Sequence, residues 1–264
     1  MKTIRIILFI CVAALVSCTN NEKKDNVTSQ ESLVNATIWF QYSPEMKALY
    51  YQSYNLAKLR LAEFVKQKTS KPKAVVVDID ETMLDNSPFE AQQIIESTGY
   101  TPESWKKWSD MAKAKAVPGA VEFTHFCDSL GVAVIYISNR STDELKSTLK
   151  NLDSLGFSFA HQENLCFKDG PSSKRIRRDK VSEKYTIVML IGDNLNDLSE
   201  VFEHRGEDWG ASQVEQNRKE FGNRFIVLPN PMYGDWEKNI YKGIKDLTPA
   251  QRREMRLKTV YGFR

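Results

Sequence analysis

Short apolar runs rich in β-branched residues recur at 74–77, 132–137, 186–191 and 225–228, and helical patterns fall between them at 118–130, 142–155 and 196–202. Runs without polar alternation need both faces covered, which is the habit of parallel strands. Strand following helix following strand predicts an α/β fold with a mainly parallel sheet. A further helical stretch is expected from Ser43-Pro44 to about Lys68, with Leu49, Leu56, Leu59 and Phe64 as its buried face. The segment 88–117 interrupts the first strand and its crossover helix. It carries two helical patterns with Trp105 and Trp108, enough for a small helical cap above the carboxyl edge of the sheet. In open sheets of this kind ligands bind at that edge.

The strand ends are where the unusual residues sit. One run ends Asp78-Ile79-Asp80-Glu81-Thr82, another Ser138-Asn139-Arg140, and a third Gly192-Asp193-Asn194-Leu195-Asn196-Asp197. Asp78, Asp80, Asp193 and Asp197 would therefore meet on one rim. Clustered carboxylates repel one another and resist desolvation, so a cation is expected among them. Hard oxygen donors suit Mg²⁺, which leaves positions for water and phosphate oxygens. A single acid at a strand end would only turn the chain or cap a helix. An EF-hand fails at Met83 and Phe89, and no glycine-rich phosphate or dinucleotide loop occurs.

The N-terminus carries a different signal. Lys2 and Arg5 precede an apolar run at 6–16 that ends Leu15-Val16-Ser17-Cys18, the layout of a secretory signal too short to span a membrane comfortably. Leu-Val-Ser-Cys resembles the bacterial lipobox, which implies acylation of Cys18 and cleavage before it. The expected layout is a signal at 1–17, a flexible tether at 18–34 and a domain at 35–264. Thr19, in place of aspartate, resembles outer-membrane sorting. Cys127 and Cys166 remain in the domain and read as two buried free thiols. The formal net charge is only +3 and the basic run Lys174-Arg175-Ile176-Arg177-Arg178 has no interleaved aromatics, so a nucleic-acid polymer is a poor partner.

DIDETMLDNS, VPGAVEF, YISNR, IGDNLND and LPNPMYGDWE resemble the class C bacterial acid phosphatases, the lipoprotein e family of the haloacid dehalogenase superfamily. The likeness extends over roughly 35–260. It implies a Rossmann-like core with a helical cap, and Mg²⁺-dependent hydrolysis of phosphate monoesters through an aspartyl-phosphate. By that resemblance Asp78 is the nucleophile and Asp80 the general acid and base. The metal takes Asp78, the backbone carbonyl of Asp80 and Asp193, with Asp197 as a further ligand or a brace. Ser138, Asn139 and Lys174 bind the phosphoryl group. Trp105 and Tyr233, with Trp108 as a third candidate, would stack on a nucleobase or nicotinamide ring, which points to nucleoside or nicotinamide monophosphates.

This makes the leading expectation a lipid-anchored phosphatase of the cell envelope; monomer and homodimer both stay open. The alternative is a lipoprotein that binds haem or another planar ligand. Only His125, His161 and His204 could supply imidazole, and His125 falls in an apolar helical pattern that predicts packing rather than ligation.

Overall fold

The computed structural model describes residues 31–263. The signal segment, Cys18 and the tether as far as residue 30 lie outside the described residues. Residues 31–34, expected to end the tether, are already helical: a 3-10 turn at Glu31–Leu33 runs into α1 (Val34–Tyr42).

Helix α2 (Pro44–Phe64) starts where Ser43 and Pro44 predict, with the Ser43 hydroxyl accepting from the amides of Glu45 and Met46 at 3.1 and 3.3 Å. Such a cap contributes about 1 kcal/mol. The expected buried face needs correction. Leu49 and Leu59 are 39% and 67% exposed, and the buried residues are Met46, Tyr50, Tyr54, Ala57 and Leu61. Two tyrosines displace leucines from the core because their hydroxyls find buried main-chain acceptors, described below, and their rings then bury apolar area without a lost hydrogen bond.

The chain continues through β1 (Lys73–Val77), β2 (Leu84–Asp85), α3 (Ser87–Ile95), α4 (Pro102–Asp110), β3 (Lys115–Ala116), α5 (Ala120–Ser129), β4 (Ala133–Ser141) and α6 (Leu145–Ser154). It ends with β5 (Leu165–Lys168), α7 (Arg175–Lys184), β6 (Thr186–Gly192), α8 (Leu195–Leu198), α9 (Ala211–Gln216), β7 (Phe225–Val227), α10 (Lys238–Tyr241) and α11 (Pro249–Thr259).

The main sheet has the order β5-β4-β1-β6-β7 and every pairing in it is parallel, as the apolar runs predict. Successive residues of a strand face opposite sides. Val75, Val77, Val134, Tyr136, Met189 and Ile191 accordingly join a core with α2, α5 and α6. Ala74, Val76, Ile135, Ile137 and Leu190 join a second core with Val181 of α7 and Leu198 of α8. Edge strand β5 was not anticipated; with only Leu165-Cys166-Phe167-Lys168 it is too short to stand out from a loop. Its Cys166 is half-buried rather than buried, whereas Cys127 is fully buried; both are free.

The short antiparallel pair β2–β3 brackets α3 and α4, so the inserted helices leave the sheet and return to it at one place. Pro102 and the reciprocal cap between Thr101 and Ser104 start α4.

Candidate active site

The chain leaves β1 through a tight loop. The amides of Thr82, Met83 and Leu84 all turn back to the carbonyl of Ile79, and Glu81 takes a left-handed φ of 54°. Two side chains of α2 hold this loop: the Tyr50 hydroxyl donates to the carbonyl of Glu81 and that of Tyr54 to the carbonyl of Thr82. Burial pushes both phenols well up from their ordinary range, so they stay donors. The Glu81 carboxylate accepts from the Asn86 amide at 2.7 Å.

Asp78, Asp193 and Asp197 each place a carboxylate oxygen within 4.8 Å of the other two. Lys174, 4% exposed at the start of α7, pairs with both Asp78 and Asp197, the latter at 2.7 Å. Asp193 accepts from Asn230 at 2.8 Å and from Thr82 at 3.4 Å. Gly192 makes room for Asp197 to fold back: a β-carbon there would stand 2.5 Å from Asp197 Oδ2 and closer still to its Cβ.

Burial pushes Asp78 up to about 7, with the Lys174 ammonium pulling against it and the charges of Asp197 and Asp80 adding to the rise. Asp193 is raised as well, by burial and then by Asp197 and Asp78. Lys174 is held fully charged by its two carboxylates against the cost of burial. Of the four aspartates, Asp78 and Asp197 share the one ammonium of Lys174, Asp80 has Arg140, and Asp193 has no ion pair among the described residues, which leaves a surplus of negative charge around Asp78, Asp193 and Asp197. A divalent cation would cancel that surplus, and carboxylate oxygens at this spacing suit one.

Asp80 is separated from this group although it lies two residues from Asp78. Arg140, buried on β4, grips it with Nη2 at 2.8 Å and Nε at 3.0 Å, and Asn86 donates to it at 2.9 Å. Arg140 is itself fixed by Thr148 at 2.9 Å and by the ring of Trp105, 5.4 Å from its guanidinium carbon. Ser138 is buried and donates to Asp80 at 3.4 Å while accepting from the Arg140 amide. Asn139 is exposed at the mouth and its side chain is held by Arg177 at 2.7 Å.

Sequence reasoning missed Arg140, Arg177, Asn86 and Asn230 as site residues. Arg140 stands beside the strand-end serine, which is a usable signal. Arg177 lies one helical turn after Lys174, inside a basic run that reads as a solvated face.

Asp78, Asp80, Asn139, Arg140, Lys174, Asp193 and Asp197 line part of a cavity of about 780 Å³. Trp105 and Tyr233 line it too, along with Phe89 and Tyr100 of the cap region. Trp105 packs edge-on against Phe89 with ring centres 5.1 Å apart and donates to Glu144 at 2.8 Å. Trp108 points elsewhere: it packs against the core and donates to Asn86 at 2.8 Å, so it braces the grip on Asp80. The histidines do not converge here. His125 is exposed rather than packed, with its ring bonded to the carbonyl of Gly156 at 2.6 Å, because its neighbours Phe123, Thr124 and Cys127 take the buried face of α5.

A family model described as HAD superfamily, subfamily IIIB (acid phosphatase), matches residues 10–236. The class C acid phosphatase from Bacillus anthracis is 38% identical, with a TM-score of 0.86 over 90% of this chain and 100% of that one. A structure of it with tungstate bound matches at 37% identity, the same TM-score and the same coverage. A stem 28 kDa glycoprotein from Glycine max is 28% identical over 221 residues, 78% of this chain and 76% of that protein. A stem 31 kDa glycoprotein from the same plant is 30% identical over 172 residues; the match takes in 60% of this chain and 58% of the relative. By the match of the family model to most of its length, this chain belongs to subfamily IIIB of the HAD superfamily, the acid phosphatases.

Proposed function

We propose that the protein is a Mg²⁺-dependent acid phosphatase that hydrolyses small phosphate monoesters, nucleoside or nicotinamide monophosphates among them, through an aspartyl-phosphate on Asp78. One observation carries the reading: two aspartates a single residue apart have different cationic partners, Asp78 the buried Lys174 and Asp80 the forked Arg140. That division suits a nucleophile and a proton carrier.

Asp78 attacks phosphorus, and Asp80, as the general acid, gives a proton to the leaving oxygen. Asp80 then takes a proton from the water that opens the acyl phosphate. Arg140 aims Asp80 and stabilises its anion between the two steps. Ser138, Asn139 and Lys174 hold the phosphoryl oxygens, where negative charge must be balanced throughout. The side chains of Asp78 and Asp193 and the carbonyl of Asp80, with Asp197 beside them, would hold Mg²⁺, which supplies screening between Asp78 and an anionic substrate. That the Bacillus anthracis relative has been solved with tungstate bound supports a protein that takes a tetrahedral oxyanion. The aromatic walls of Trp105 and Tyr233 support a planar leaving group.

The basic start, apolar run and Cys18 support a lipid anchor on the cell envelope, with the outer membrane favoured by Thr19. Replacing Cys18 by alanine should move the protein from the membrane fraction to the soluble one.

The test of activity is a panel of phosphate esters assayed for released phosphate with Mg²⁺ and with chelator. Release that requires the metal and weakens as pH rises above neutrality is expected. Equal release in chelator, or a rate that climbs through pH 8, overturns the reading.

A further inference from the structure

The cavity lined by Asp78 and Lys174 also holds a second cluster of charge. One of its walls is built by α10 and α11 and includes Tyr241, Arg252 and Arg256. Both arginines are half-buried, which takes much of their charge out of water. Among the described residues neither is ion-paired. The Arg252 guanidinium lies 4.9 Å from the centre of the Tyr241 ring and reaches the Leu247 carbonyl at 3.4 Å. Arg256 donates to the Tyr241 hydroxyl at 2.8 Å.

Two guanidinium groups held by one tyrosine, with donors to spare and no carboxylate in contact, form an incomplete set. Each has five N–H donors in a fixed fork that matches carboxylate and phosphate oxygens. Glu237 is outside ion-pair range of both arginines; burial pushes its carboxyl up while the charges of Arg256 and Arg252 pull it down, and Glu90 on the same cavity is pushed up to about 7 by burial and then by Glu237.

We propose that Arg252 and Arg256 form a second anion site in the catalytic cavity, which selects phosphate monoesters whose leaving group ends in another phosphate or a carboxylate. The inference rests on the phosphatase reading for the aspartate cluster of the cavity and adds the class of substrate. It makes the C-terminal helix a specificity element. The two arginines touch the distal group and take no part in the transfer itself.

A ladder of α,ω-alkanediol bisphosphates from butane to decane, each paired with its monophosphate, tests this on the full chain. With the rate halved to allow for two equivalent phosphates, kcat/KM for the bisphosphate should exceed that of the monophosphate about tenfold at one chain length, the factor that 1.4 kcal/mol supplies. A matching ladder of ω-carboxyalkyl phosphates tells whether carboxylate or phosphate is the better terminus. In the Arg252→Gln/Arg256→Gln variant, with its melting temperature checked, the preference should fall to near one. The Arg252→Lys/Arg256→Lys variant, which keeps charge, should retain part of it. A helix that merely loses its docking contact would change both partners of each pair alike and leave the ratio unmoved. A ratio of one at every length, or a peak that survives the double glutamine change, overturns the second site while leaving the phosphatase reading intact. Should no ester be hydrolysed, the function fails first. Titration of the same pairs into Asp78→Asn then decides separately: tighter bisphosphate binding, lost with the two glutamines, sustains the site, and equal binding removes it.

Discussion

Two walls of the catalytic cavity are built on opposite principles. At the strand-end rim the buried Lys174 pairs with Asp78 and Asp197, and the buried Arg140 with Asp80, all at hydrogen-bond distance. At the wall built by α10 and α11, Arg252 and Arg256 are half-buried and make no ion pair among the described residues. The rim is closed by its own contacts, so a substitution there leaves another charge stranded in low dielectric. The wall is open, and substitutions there should alter which molecule is accepted before they alter how it reacts.

The sharpest way to break this contrast is Asp78→Asn, which should cost a factor on the order of 10⁴ or more in kcat for every ester tested. A loss confined to certain esters would place Asp78 in recognition and erase the distinction. Asp80→Asn should cost roughly 10²–10⁴ with alkyl phosphates. It should cost much less with 4-nitrophenyl phosphate, whose leaving group needs little protonation. Equal losses for both esters would count against Asp80 as the acid.

The rim should also respond to pH without its metal. Asp78 in the folded protein is raised from 3.8 to about 7, so the folded state binds the proton more tightly than the unfolded state. Stability of the metal-free protein should therefore fall as pH rises from about 4 to about 7 and level off above that. Added Mg²⁺ should restore the melting temperature most at the upper end of that window. A flat profile in chelator would mean that burial, and after it the neighbouring carboxylates, penalise the ionised Asp78 less than its position implies. The smallest expected effect is at the support beneath the rim. Tyr50→Phe and Tyr54→Phe should each cost about 1–3 kcal/mol of stability, since each leaves a buried carbonyl without its donor. If both variants melt with the wild type, the loop carries itself.

How far each region could be read from sequence follows from the same contrast. The acids of the rim sit within a few residues of apolar runs that can only be strands, so topology alone brings Asp78 and Asp193 together. Lys174 needed the family resemblance, because its own neighbourhood is a run of cations like any exposed helix face. The roles of Tyr50 and Tyr54 were hidden for a different reason. A tyrosine in an amphipathic helix reads as rim-of-core until its hydroxyl partner is known, and that partner comes from a loop some thirty residues away. Arg252 and Arg256 reach the cavity only because α10 and α11 bend back to it. Nothing periodic or local announces such a path.

Gly192 has the last consequence. With only hydrogen on its α-carbon, the end of β6 lets Asp197 lie across it and meet Lys174. An alanine codon at that place would add one methyl group, a change most proteins absorb unnoticed. Here it would evict the acid from its seat and cut the lysine loose, so inheritance has no harmless step open to it at this position.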